Sequence, residues 1–222
     1  MNGREKILEL TSVRASNRAG ITVFRDLDFG LYAGDTAIII GQTATGKTTL
    51  AELIVGTMKP ERGSVKVFGK EIGMGNERQA IEIRRRIGGV GGIFDLIPNL
   101  TVSENILYPL ILHGESKKER KIKLDQLLGQ YNLTGRKKDK AFKLTRGEKV
   151  MALLARAVIA DQPLLIIDEP LDRLDIATSE NIIGLLKRLW AAGHALLILT
   201  NGRVGFEIPG SKEYQIKDGR LQ

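Results

Sequence analysis

The sequence predicts an α/β fold whose core is a mostly parallel sheet, with a small antiparallel β subdomain at the N-terminus and a helical segment inserted midway. Three observations carry this. Residues 36–40 (TAIII) form a strand-like run of the buried, parallel-sheet kind, followed by a Gly/Thr-rich loop and a helix from about Thr48 to Gly56. Two later apolar runs, residues 164–167 and 195–199, flank a helix at about 179–192. Residues 7–13, 21–24 and 27–31 are short β-leaning runs separated by turn-rich pieces, which reads as an antiparallel sheet.

Between the first and second apolar strands the sequence is helical. Thr101-Val102-Ser103-Glu104 and Ser116-Lys117-Lys118-Glu119 both have the spacing of a capping box, in which a hydroxyl and a carboxylate satisfy each other's backbone N–H groups at a helix start. Leu124, Leu127 and Leu128 follow at helical spacing, and Lys217-Asp218-Gly219-Arg220 reads as a closing hairpin turn. At 222 residues, with no internal repeat or low-complexity linker, the chain predicts one compact domain with an insertion.

Composition narrows the chemistry. Hydrophobic residues at 42% and charged residues at 27% match an ordinary globular protein rather than a disordered one. With no cysteine, disulfides, thiolate catalysis, iron–sulfur clusters and cysteine-ligated zinc are excluded, and His113 and His194 alone make a multi-histidine metal site untenable. The first ten residues do not read as a signal peptide, and no apolar run approaches the roughly 20 residues of a spanning helix. A cytoplasmic chain that reaches a membrane only through a partner is the expectation. The net charge of +8 is local, since residues 116–149 hold twelve Lys/Arg against four Asp/Glu. That segment is either a solvated helix face or a surface for anionic headgroups or an acidic partner. Only Tyr131 and Phe142 interrupt it, so a stacking platform for nucleic acid is disfavoured.

Two motifs point to phosphate chemistry. Gly41-Gln42-Thr43-Ala44-Thr45-Gly46-Lys47-Thr48 fits G-x-x-x-x-G-K-[ST] and sits where that motif must sit, after a buried strand and before a helix. Successive backbone N–H groups there cradle phosphates, the helix N-terminus adds partial positive charge, Lys47 neutralises β/γ oxygens, and Thr48 offers a magnesium ligand. Residues 164–169 (LLIIDE) end an apolar strand in two carboxylates. Asp168 is the expected second magnesium ligand and Glu169 the expected general base for an attacking water.

Leu144-Thr145-Arg146-Gly147-Glu148, with residues 149–160 (KVMALLARAVIA) behind it, resembles the signature helix of the ABC ATPases. The resemblance spans almost the whole chain, through residues 84–88 (RRRIG), residues 96–102 (LIPNLTV) with Glu104 and Asn105, Glu169-Pro170, and Leu174-Asp175 in the D-loop position. Residues 108–114 (YPLILHG) look like a stretch in the small ATPases of the lipoprotein-release and cell-division class. The resemblance implies a P-loop NTPase fold of the ABC type, with a RecA-like core sheet and one nucleotide-binding domain over residues 1–222. Its helical subdomain is inserted at approximately residues 93–162. It implies ATP and Mg2+ as ligands and a dimer, homomeric or heteromeric. Each ATP is then held between Gly41 to Thr49 of one chain, Thr49 included, and Thr145, Arg146 and Gly147 of the other. It also implies an integral membrane permease-like partner and a peripheral location on the inner face of the membrane.

Several positions depart from that family's pattern. Gly92 stands where the family's Q-loop glutamine stands, and Asn201 where it has the switch histidine. His194 cannot serve instead, because seven extended residues put it about 23 Å away. Arg146 replaces the first of two signature glycines, either to pair with the γ-phosphate or to obstruct the approach of two chains. Ala44 replaces the phosphate loop's middle glycine, a milder change. No aromatic between Val13 and Ile21 is available to stack on adenine, so base recognition is either weak or carried by Arg14 or Arg18. Two functions follow as expectations. The first is an ATP-binding subunit that hydrolyses Mg-ATP slowly as a dimer to drive or gate a separately encoded membrane partner, for lipid or lipoprotein transport or for mechanical signalling. The second is a nucleotide-holding regulatory subunit without hydrolysis.

Overall fold

The computed structural model describes residues 4–72, 77–202 and 205–222. The chain opens with β1 (Lys6–Ser16) and β2 (Thr22–Tyr32), paired antiparallel over their whole length. β2 is one strand where two short runs were expected. Register shifts on β1 between Leu10 and Ser16 absorb the mismatch, and Ser12, at φ 48, donates its N–H to Asp28 Oδ1 at 2.8 Å, so pairing continues past the polar Arg25-Asp26. β3 (Thr36–Ile40) and α1 (Lys47–Val55) match the expected strand and helix, and Gly56 in the left-handed conformation ends the helix. β4 (Arg62–Val67) and β5 (Lys70–Glu71) complete a four-stranded antiparallel sheet in the order β2-β1-β4-β5.

α2 (Glu77–Arg85) leads into β6 (Ile87–Val90), and α3 (Val102–Leu112), α4 (Lys117–Gln130) and α5 (Arg146–Val158) follow before the chain returns to the sheet at β7 (Leu164–Asp168). Both expected capping boxes are formed, at Thr101/Glu104 and Ser116/Glu119. A third starts α5, where Thr145 Oγ1 accepts from the Glu148 N–H and Glu148 Oε2 accepts from the Thr145 N–H. α6 (Ile176–Ala191) begins three residues earlier than the sequence suggested. Asp175 is its N-cap, accepting from the Thr178 N–H at 2.9 Å and the Thr178 hydroxyl at 2.7 Å. β8 (Ala195–Thr200), β9 (Lys212–Lys217) and β10 (Arg220–Leu221) close the chain, the last two as a hairpin around Asp218-Gly219, both at positive φ.

The core sheet has six strands in the order β10-β9-β3-β8-β7-β6, and all neighbours are parallel except the terminal hairpin. Strand alternation divides its apolar side chains between two layers. Ile38, Leu165, Ile167, Leu196 and Ile198 face the layer that holds α3, α5 and α6. Ala37, Ile39, Leu164, Ile166, Leu197 and Leu199 face α1 and the antiparallel sheet. Burial on both faces explains why these strands read as continuous apolar runs. It also places the carboxyl ends of β3, β7 and β8 side by side, the edge at which parallel sheets bind ligands.

Candidate functional site

Gly41 is anchored by its N–H to the Thr200 carbonyl at 3.0 Å, so the loop after β3 starts pinned to the end of β8. The loop then closes on itself, with the Thr45 hydroxyl donating to the Gln42 carbonyl at 2.8 Å. Gln42, Thr43, Ala44 and Thr48 are exposed, Thr45 is half-buried, and Thr49 is buried under the first turn of α1. Gly46 stands at φ 112, and a Cβ there would press on the Phe24 ring and Val23 at 3.0 Å. Only glycine suits that position. Because Gly46 supplies no side-chain cap, the N–H groups of Lys47, Thr48 and Thr49 remain available to an anion. Ala44 adopts φ 67, a left-handed conformation that costs an L-residue about 1 kcal/mol, so its replacement of glycine carries local strain.

Lys47 is 7% exposed and its ammonium group lies among oxygens. It donates to the carbonyls of Gly41 at 2.6 Å and Gln42 at 3.2 Å and to Asn201 Oδ1 at 2.7 Å, and it stands 3.7 Å from Glu169 Oε1. Asn201, read from sequence only as a missing histidine, thus closes the ammonium group's coordination from the end of β8. His194 lies at the start of that strand with Nδ1 2.8 Å from the Gln162 carbonyl, at the other end of the sheet.

Asp168 ends β7 at 8% exposure, and no described residue hydrogen-bonds its carboxylate. Burial first, and the Glu169 charge second, push its pKa up to about 6 against a smaller opposing effect of Lys47. Glu169 follows at φ 52, with its N–H held by the Leu199 carbonyl at 2.9 Å. Its Oε1 is buried without a hydrogen-bond partner. A strained backbone and an unsatisfied carboxylate oxygen beside the phosphate-loop lysine are features that folding alone does not favour. An exposed Thr48 hydroxyl and an unpartnered Asp168 carboxylate are hard oxygen donors of the kind magnesium takes beside phosphate oxygens and water, so these residues fit that ion. Among the described residues no cluster of three His, Cys, Asp or Glu competes as a metal site.

Thr145, Arg146 and Gly147 stand apart from this constellation. They open α5 at a pocket of about 440 Å³ shared with Leu174, Asp175 and Thr178, and no phosphate-loop residue lines it. Arg146 Nη2 lies 2.6 Å from Asp172 Oδ2, three residues past Glu169, a pairing that no local pattern announces. Arg14 and Arg18 are engaged with Glu61 at 3.3 Å and with Glu52 at 2.6 Å, and Glu52 is buried.

A family profile described as ABC transporter matches residues 24–172. An uncharacterized ABC transporter ATP-binding protein of Thermotoga maritima is 31% identical over 98% of this chain and 94% of its own. The lipoprotein-releasing system ATP-binding protein LolD of Porphyromonas gingivalis is 32% identical over 88% of this chain and 90% of its own. The macrolide export ATP-binding/permease protein MacB of Mannheimia succiniciproducens is 29% identical over 97% of this chain, which spans 34% of that longer protein. Among solved structures, the dimeric bacterial ABC transporter cassette MJ0796 superposes with a TM-score of 0.85 at 27% identity and 97% coverage of both chains, and a second structure of it, bound to ADP and Pi, gives 0.83 at 26%. The chain belongs to the ABC transporter family, as an ATP-binding cassette.

Proposed function

We propose that the chain is the ATP-binding subunit of a membrane ABC complex and hydrolyses Mg-ATP slowly as a dimer. The observation that carries this is the meeting of Lys47 and Glu169 at 3.7 Å, which sets a buried cation for phosphate beside a carboxylate oxygen that makes no hydrogen bond. Gly41 to Thr49 cradle the phosphates through backbone N–H groups, and Lys47 exchanges its present oxygens for those of the β- and γ-phosphates. Thr48 and Asp168 hold magnesium, which when bound neutralises charge on the transferred phosphoryl group. Glu169 accepts the proton of the attacking water. Thr145, Arg146 and Gly147 of a second chain close the site from across the dimer, and whether that chain is a copy or a homologue is left open.

The whole sequence is read as one cassette, residues 1–222, with a helical insertion at approximately 93–162, peripheral on the cytoplasmic face through an integral membrane permease-like partner. No described helix is long and apolar enough to cross a membrane. MacB's name joins an ATP-binding part to a permease, and the present chain spans about a third of that protein, which supports a permease as the partner of the cassette. A groove of about 350 Å³ between α2 and α3, rimmed by the exposed Ile81, Ile97, Tyr108 and Leu112 with Arg85 beside them, suits an apolar partner segment that carries acidic residues. LolD's name directs the choice of cargo toward lipoprotein.

The deciding experiment is Mg-ATP turnover by the complex recovered from solubilised membranes, for the wild-type chain, Glu169→Gln and Lys47→Ala. Turnover that is lost in Glu169→Gln while nucleotide binding persists, with both lost in Lys47→Ala, is the expected result. The second reading, a nucleotide-holding regulatory subunit, draws on the side chains absent at Gly92 and altered at Arg146 and Asn201. Stoichiometric nucleotide without turnover in the wild-type complex would establish it in place of the first.

A further inference from the structure

The loop that joins β6 to α3 reaches the Asp168 carboxylate with backbone alone. Gly91 and Gly92 are consecutive left-handed residues, at φ 74 and φ 54, and the Phe94 N–H closes the turn onto the Gly91 carbonyl at 2.8 Å. A Cβ on Gly91 would overlap the Asp168 carbonyl oxygen, and one on Gly92 would overlap Asp168 Oδ2 and lie 3.0 Å from its Cγ. The turn is seated from both ends. Upstream, the Phe94 ring lies on Gly89, where a Cβ would enter the ring. Downstream, Arg156 of α5 donates to the Phe94 carbonyl at 2.6 Å and to the Asp95 carbonyl at 2.9 Å. The Arg156 side chain is half-buried where it grips the loop, and that burial draws its pKa downward. The same Arg156 lines the apolar groove with Ile97, Tyr108 and Leu112.

We propose that the Gly91–Gly92 turn positions the Asp168 carboxylate by backbone contact, and that Arg156 is the positioning residue that holds the turn in place. The Asp168 carboxylate is then held from the side of α5, through Arg156 and two glycines. The inference rests on the reading of Asp168 as a magnesium ligand. It has a sharp consequence for Gly92: a side chain there displaces the Asp168 carboxylate, and glutamine, which could be expected to add a ligand, must instead weaken the metal site.

The test uses the full-length chain and a fluorescent ATP analogue, titrated in EDTA and again across a Mg2+ series, with Mn2+ binding in the presence of ATP followed by electron paramagnetic resonance. The variants are Gly92→Ala, Gly92→Gln, Arg156→Ala and Arg156→Lys. Nucleotide affinity in EDTA should stay near wild type in all four, which also reports that the phosphate loop is folded. The metal midpoint should rise about tenfold or more in both Gly92 variants and in Arg156→Ala, as for loss of an outer-sphere support, with partial recovery in Arg156→Lys. Amide exchange at residues 93–96 should quicken in Arg156→Ala alongside the metal shift. Metal binding in Gly92→Gln equal to or tighter than wild type would overturn the proposal, as would Arg156→Ala with faster exchange and an unchanged metal midpoint. A wild-type chain whose nucleotide binding gains nothing from Mg2+ would instead overturn the Mg-ATP reading beneath it.

Discussion

Asp168→Asn should stabilise the nucleotide-free protein at neutral pH. The carboxylate is buried at the end of β7 beside Glu169, and its pKa is pushed up from 3.8 to about 6 after Lys47 has offset part of the rise. Between those values the folded chain binds more protons than the unfolded one, so stability falls as pH rises through that window. A rise of about two units corresponds to roughly 3 kcal/mol, reached above about pH 6 and absent below about pH 4. Asparagine keeps the shape of the protonated acid and never ionises. In urea unfolding at pH 7.5 the variant should therefore exceed wild type by up to about 3 kcal/mol, with an unchanged m-value, and the gain should fade as pH approaches 4. Saturating Mg-ATP should reverse the order, because magnesium satisfies the carboxylate and has less use for the amide. Equal stability at pH 7.5, or a gain that persists undiminished at pH 4, would refute the claim that an uncompensated charge at Asp168 is stored in the resting fold.

Ala44→Gly relieves a left-handed alanine and should raise stability by roughly 0.5–1 kcal/mol in thermal or urea unfolding, the glycine's extra unfolded-state entropy taking back part of the gain. Asn201→Ala frees Lys47 from a charge-assisted bond at 2.7 Å that nucleotide must otherwise displace, so equilibrium binding of ATP should tighten up to about tenfold, and a weaker affinity would show Asn201 touching nucleotide. Arg146 is tied to Asp172 of its own chain at an exposed site, so Arg146→Gly should change stability by less than about 1 kcal/mol. In a Glu169→Gln background it should raise the ATP-dependent dimer fraction in light scattering, whereas a smaller fraction would show the guanidinium reaching phosphate across the dimer. Lys117, Lys118 and Lys121 have no ion pair among the described residues and crowd the N-terminal half of α4, where the helix dipole disfavours cations, while Lys123 pairs with Glu115 at 2.9 Å. Charge reversal at the first three should leave the fold as stable or slightly more so and weaken association with anionic vesicles or the permease complex, an effect that disappears as salt rises.

What the sequence discloses depends on how local the cause is. β3, β7 and β8 are legible because burial on both faces demands an apolar residue at nearly every position. Helix starts at Thr101 and Ser116 are legible because a capping box closes within four residues. β6 (IGGV) is not, since its glycines serve close packing rather than a turn: a Cβ on Gly88 would meet the Ala157 carbonyl of α5, and one on Gly89 the Phe94 ring. At the site the pattern holds again. Lys47 and Asp168 declare themselves by residue type and flanking strand, whereas the Lys47–Asn201 bond spans 154 positions and the Arg146–Asp172 bond 26, and nothing in either neighbourhood marks the partner.

The three positions read from sequence as departures from the ABC pattern each make a contact within the folded chain. Gly92 lets backbone rest on the Asp168 carboxylate. Asn201 accepts from Lys47, and Arg146 binds Asp172. All three contacts are made with the chain's own groups. Nucleotide therefore competes with internal partners at Lys47, and magnesium meets at Asp168 a carboxylate whose burial favours its protonated form. Lys47 takes up phosphate by exchanging one set of oxygens for another, whereas Glu169 Oε1 is buried beside it without a hydrogen bond. The oxygens that Lys47 must exchange oppose nucleotide binding, and that opposition is the ground on which slow turnover is proposed.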